Sequence, residues 1–249
     1  MSPRPLRIYL LVIALGVLLA MPAAALEIMV GLPYGKHTIG HTAVRVRTFD
    51  QNGEVIYDFG RYGRTWGHLH FHGEGIMRVW RGPREIKRYL QKQQSFRDTV
   101  GFTIDVPEQE ERQIYRYYEN LLANKRWRRP NDMHVRYRLA EDYNGINNQC
   151  TSMALAGMKA VLPRPNWEKL LHPRFNKGQG FNAVTKDYFF KTQRKLGIDE
   201  TVVPLDVLDA LTDSRKQANP LAGKVRRYPR LRGHRQARPP AGGAPPVPR

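Results

Sequence analysis

Asn147-Asn148-Gln149-Cys150-Thr151-Ser152 holds the only cysteine in 249 residues. A polar, glycine-containing stretch from Glu141 to Asn148 precedes it. An apolar face of Met153, Gly157, Met158 and Val161 follows at helical spacing, and Pro163 ends the run. Asn148 is the expected N-cap, because its short side-chain oxygen can accept an orphan backbone N–H. Cys150 then falls in the first turn. The positive end of the helix dipole and the free N–H groups there favour thiolate over thiol. The same N–H groups can hold an oxyanion. Ala154, Ala156, Gly157 and Ala160 keep the helix thin, so its backbone can lie close to a neighbouring layer. The competing reading of Cys150 is a small buried hydrophobe.

The first residues set the compartment. Arg4 and Arg7 precede an apolar run from Ile8 to Leu19, and Ala23-x-Ala25 ends a small-residue stretch. This is the pattern of a cleaved secretory signal over residues 1–25, and it implies a periplasmic or secreted protein. Exported cysteines commonly pair. Cys150 has no partner within the chain, which marks it as a reactive or intermolecular thiol.

The body, residues 26–212, is long enough for one domain with a real core. Residues 213–249 hold 10 Lys and Arg against one Asp, with repeated Pro and Gly, in a chain of net charge +19. Such composition reads as a disordered cationic tail suited to anionic envelope surfaces. Export and the lack of interleaved aromatics argue against a specific nucleic-acid partner.

Along the body, Leu26–Val30 reads as a first strand, and His41–Arg47 alternates as a second. Asp50-Gln51-Asn52-Gly53 signals a tight hairpin turn, with Glu54–Phe59 returning. Gly60, Gly63 and Gly67 mark a loop. Ile76–Trp80 and Thr99–Val106 are further strands around a helix at Arg84–Gln91. Pro107–Lys125 is the clearest helix, with Pro at its start, three glutamates in its first turn and an apolar face of Ile114, Tyr117, Leu121 and Leu122. Val184–Leu196 is another helix, ended by Gly197. Thr201–Leu211 is ambiguous. The expected fold class is α+β, an antiparallel sheet packed on a central helix that carries the cysteine.

A thiolate nucleophile needs a general base, and histidine is the usual one. Of eight histidines, His41 begins a strand between Gly40 and the small residues Thr42 and Ala43, which leaves its ring accessible. Gly40-His41-Thr42-Ala43-Val44-Arg45-Val46, then Val55-Ile56-Tyr57-Asp58-Phe59-Gly60, then the helix-opening Cys150, resembles the permuted papain-like superfamily. That superfamily includes permuted NlpC-type amidases, the lecithin–retinol acyltransferase group and permuted deubiquitinase-like isopeptidases. The resemblance covers about a seventh of the chain by count. It implies that a strand-initial histidine, His41, serves the nucleophile Cys150. The chain departs from the family pattern in one place: Gln149 stands directly before the cysteine, where asparagine is usual, and Asn148 lies one residue earlier.

The third member of the group is open at this stage. Asp58 is the obvious acid on the partner strand. If Asn52-Gly53 makes a two-residue turn, however, Asp58 faces Arg47 and lies about 20 Å along the strand from His41. Then Asp58 is structural, the hairpin is bulged, or the site is a dyad. Tyr62, Gln149 and the Tyr143 loop are alternative polar partners. Gln149, Asn148 and Tyr143 are the expected oxyanion or substrate contacts. His68-x-His70-x-His72 could place three imidazoles on one strand face for a metal. A polar surface loop is the preferred reading, and no cofactor is expected. The function expected from these residues is an exported cysteine hydrolase, an amidase or peptidase working through a thioester, on a peptide or other acyl substrate of the cell envelope. The alternatives are a lipid acyl hydrolase or acyltransferase on the same fold, and a non-catalytic envelope-binding protein.

Overall fold

The computed structural model describes residues 25–35, 37–50, 53–67, 71–171, 177–198 and 201–231. Among these, the chain forms an α+β fold with six helices and a large antiparallel sheet. The strands are β1 (Ala25–Gly31), β2 (His41–Arg47), β3 (Glu54–Gly60), β4 (Thr65–Trp66), β5 (His72–Gly73), β6 (Ile76–Arg81), β7 (Thr99–Asp105), β8 (Trp127–Pro130), β9 (Val135–Arg138), β10 (Tyr143–Asn144) and β11 (Ala222–Tyr228). The helices are α1 (Pro83–Gln94), α2 (Glu108–Ala123), α3 (Cys150–Val161), α4 (Arg164–Leu171), α5 (Ala183–Lys195) and α6 (Pro204–Lys216). The main sheet has eight strands in the order β11-β7-β1-β2-β3-β6-β9-β8, and β10-β5-β4 form a small second sheet.

Both faces of the main sheet are covered, so its inner strands carry near-continuous buried runs, as in Val55–Gly60 of β3. On one face, Val44, Val46, Val55, Tyr57 and Phe59 meet Ile114 and Tyr118 of α2, Met153, Leu155 and Met158 of α3, and Val207 and Leu211 of α6. On the other, Met29, Ala43, Ile56 and Trp80 meet Ile86 and Tyr89 of α1. Burying each such large side chain contributes about 2–3 kcal/mol. The small residues of α3 have the expected use. A Cβ at Gly157 would sit 2.7 Å from a ring carbon of Tyr118. The Tyr118 hydroxyl donates to the carbonyls of Met153 (3.1 Å) and Ala154 (2.9 Å), which fastens α2 to α3.

Three expectations change. The β2–β3 hairpin does not close through a two-residue Asn-Gly turn. Its last paired residues are Arg47 and Glu54, so the connection runs over 48–53. Gln51 and Asn52 themselves lie outside the described residues. The ambiguous Thr201–Leu211 stretch is a helix that begins at Pro204 and continues to Lys216. The helix therefore runs past the boundary expected at Asp213. Beyond α6, Ala222–Tyr228 adds β11 to the free edge of β7, with a bulge between Ala222 and Val225. Residues 232–249 lie outside the described residues, as do residues 1–24 with the expected export signal. Among the described residues, no helix is long and apolar enough to cross a membrane.

Candidate active site

The site lies where the starts of β2 and α3 meet. Gln149, not Asn148, is the N-cap of α3. Its side-chain oxygen accepts from the Thr151 N–H at 2.8 Å, and its own N–H donates to the Ser152 hydroxyl at 2.8 Å. Asn148 turns away and donates to the Asp142 carbonyl at 2.7 Å. A longer cap side chain wins here because the Gln149 amide also donates to the Val202 carbonyl, tying the cap to the segment before α6. Cys150 is thus the first residue of α3, at the position where the backbone N–H has no intrahelical acceptor. One residue further along each element, the hydroxyls of Thr42 and Thr151 hydrogen-bond at 3.1 Å, and both residues are fully buried. This clasp sets His41 and Cys150, the first residues of β2 and α3, side by side.

The longer hairpin connection changes the position of Asp58. Val44 faces Tyr57 and Arg47 faces Glu54. Continued in the same register, His41 falls opposite Gly60, and Asp58 is its diagonal neighbour on the same face. The separation of about 20 Å expected from a two-residue turn is replaced by contact. His41 Nε2 lies 2.5 Å from Asp58 Oδ1. The Tyr62 hydroxyl donates to the same Asp58 oxygen at 2.7 Å and lies 3.2 Å from His41 Nε2. Arg78 faces Asp58 across the β3–β6 ladder, and its guanidinium lies 3.3 Å over the Tyr62 ring. An ionised carboxylate only accepts, so Nε2 carries the proton toward Asp58. Nδ1 is then the ring nitrogen available to the thiol.

The charges reinforce one another. Burial alone would raise the Asp58 carboxyl. His41, Arg78 and the Tyr62 hydroxyl outweigh it and hold Asp58 at about 2. Burial would likewise lower the His41 imidazole, but Asp58 and Cys150 raise it to about 9. For Cys150, burial favours the thiol. His41, the Thr42 N–H and the Thr151 hydroxyl overcome it and bring the group below its ordinary value. The combination favours a thiolate–imidazolium pair over two neutral groups. Tyr143 is pushed upward by burial and by the negative charge at Cys150.

Cys150 is 6% exposed, yet it is not sealed among aliphatic groups. It lines a pocket of about 550 Å³ together with His41, Tyr62, Tyr143 and Gln149. Asn148 is not among the lining residues. Of the expected contacts, the structure therefore gathers Cys150, His41, Asp58, Gln149 and Tyr143, and leaves Asn148 outside. One Gln149 amide hydrogen is committed to Val202. His68 and His70 lie outside the described residues. His72 sits on β5 opposite Trp66 and Asn144. Among the described residues, no group of three or more His, Cys, Asp or Glu side chains could hold a metal ion.

Three contributors escaped the sequence reading. Arg78 supports Asp58, and Thr42 and Thr151 clasp the two elements together. Their signal was positional: each directly follows a candidate residue or faces one across a ladder. Comparison of the chain with family models, with curated proteins and with solved structures finds no match.

Proposed function

We propose that the chain is an exported cysteine hydrolase with a permuted papain-like arrangement, cleaving an amide bond in a peptide of the cell envelope. The observation that carries this reading is the line Cys150–His41–Asp58 beside a pocket, with the nucleophile on a helix N-terminus. The Cys150 thiolate attacks the carbonyl carbon, and a C–S bond forms. The resulting oxyanion is held by the Cys150 N–H, with the Gln149 amide as the further donor. The His41 imidazolium gives its Nδ1 proton to the leaving nitrogen, the C–N bond breaks and a thioester remains. Water then attacks the thioester. His41 takes a proton from it, the C–S bond breaks, and the carboxylic acid leaves with the thiolate–imidazolium pair restored. Asp58 stays ionised throughout and orients the ring.

The test is the alkylation of Cys150 by iodoacetamide between pH 5 and 8, followed by intact mass on the full chain. An ordinary thiol loses about tenfold in rate for each pH unit below its pKa of about 8.5. The expected profile for this protein is nearly flat, with the steep dependence restored in His41→Ala. A tenfold-per-unit slope in the unaltered protein sinks the reading.

Phe71 and Phe181 in the pocket wall favour one second reading, an acyl-chain substrate held as an ester. A lipid-derived thioester on Cys150, trapped by acid quench and found by mass spectrometry, distinguishes it from a peptide acyl group. The Arg-rich C-terminal residues would hold either enzyme near anionic envelope polymers.

A further inference from the structure

Arg61 and Arg97 line the pocket, and among its described lining residues there is no aspartate or glutamate. Arg97 follows α1, whose last turn takes its backbone N–H (2.9 Å to the Gln93 carbonyl). Its guanidinium carbon lies 4.9 Å from the Tyr34 ring and 4.8 Å from the Phe96 ring. Its Nε is buried without a hydrogen-bond partner, and Arg97 forms no ion pair among the described residues. The arginine has room because Gly31 has no side chain: a Cβ there would lie 2.7 Å from Arg97 Cδ and 3.0 Å from Nη1. Gly31 is the residue of β1 directly opposite His41. Facing residues on adjacent strands share a face and stand about 5 Å apart. The guanidinium therefore flanks the catalytic face one strand beyond the histidine.

A planar guanidinium resting against a pair of packed aromatic rings, with its buried Nε unpartnered, suits bidentate binding of an oxyanion. We infer that Arg97 forms an anion subsite that takes a free carboxylate of the substrate, about two extended residues from the scissile carbonyl. The inference rests on the cysteine-hydrolase reading for the identity of that carbonyl. It makes the substrate class a short peptide, or the end of one, with a C-terminal carboxylate. Arg61, exposed over the Tyr143 ring at 6.0 Å, adds positive potential at the mouth of the same pocket.

The experiment is protection of Cys150 from iodoacetamide at pH 8, in the full chain, by N-acetyl-alanyl-alanine, by its C-terminal amide and by inorganic phosphate. At pH 8 any thiol alkylates at a readable rate. The measurement therefore stands even if Cys150 is not activated, a failure that the pH profile above reports separately. Each variant is normalised to its own unprotected rate and checked by thermal melting. The expected result is about tenfold slowing by the acid and under twofold by the amide, as one charge-assisted contact allows. The difference disappears in Arg97→Gln and survives in part in Arg97→Lys. Should Arg97→Gln not fold, the acid-to-amide ratio in the unaltered protein and in Arg97→Lys decides. Equal protection by acid and amide, or protection that persists in Arg97→Gln, overturns the subsite. Protection by phosphate where the peptide acid gives none overturns the carboxylate and reassigns the subsite to a phosphate ester.

Discussion

Two buried ionic clusters share one face of β2. Around His41 stand Asp58, Tyr62 and Arg78. Four residues along the strand, Arg45 meets Glu27 at 3.2 Å and hydrogen-bonds Glu54, while Tyr228 of β11 donates to Glu27 at 2.8 Å. Asp58 and Glu27 are both 1% exposed. The two carboxylates are equally buried and similarly partnered, yet only the first cluster opens to a cavity and touches the Cys150 thiol. The second is capped by the edge strand. Burial and ion pairing alone therefore do not mark a site. Titratable groups with shifted affinities also occur in structural networks, and in this protein the cavity and the thiol separate the two cases.

The comparison can be broken in three ways. The largest effect is expected from Asp58→Asn. A neutral amide cannot hold the imidazolium, so turnover of a peptide substrate should fall about 10³-fold. A loss under tenfold would mean that Tyr62 alone orients the ring. Next comes Glu27→Gln in the second cluster. Removing one partner from a buried pair should cost about 3 kcal/mol of unfolding free energy in urea titration, with the pH profile of Cys150 alkylation unmoved. A changed profile would show that the two clusters act as one.

The smallest effect is a pH dependence. Asp58 drops from an ordinary 3.8 to about 2, so its contribution is present above 3.8 and is lost as pH falls through about 2. His41 rises from 6.5 to about 9, so its contribution is full below 6.5 and is lost as pH rises through about 9. Both are complete only from about pH 4 to 6.5. The stability difference between the unaltered protein and Asp58→Asn should peak there and shrink on either side by about 1–2 kcal/mol. A difference that grows toward pH 9 would contradict the pairing.

Most elements were legible because local patterns dictate them. Alternation in His41–Arg47, and the turn signal that sends Glu54–Phe59 back along it, made strands. Pro107, the early glutamates and the apolar spacing made α2, and Gly197 ended α5. The position of Cys150 at a helix start was equally readable, although the capping residue was not. Gln149 caps because its amide also reaches Val202, a contact fifty-three residues away that no local propensity encodes.

By itself, the sequence determined the strand-initial histidine, the helix-initial cysteine and the α+β character, all properties of a few neighbouring residues. Tertiary structure alone decided that Asp58 reaches His41, because hairpin register depends on the whole 48–53 connection rather than on one Asn-Gly pair. It also decided that part of an arginine-rich stretch becomes a strand. An open edge on β7 and a buried Glu27 that needs partners outweigh a composition that, read alone, belongs to a tail.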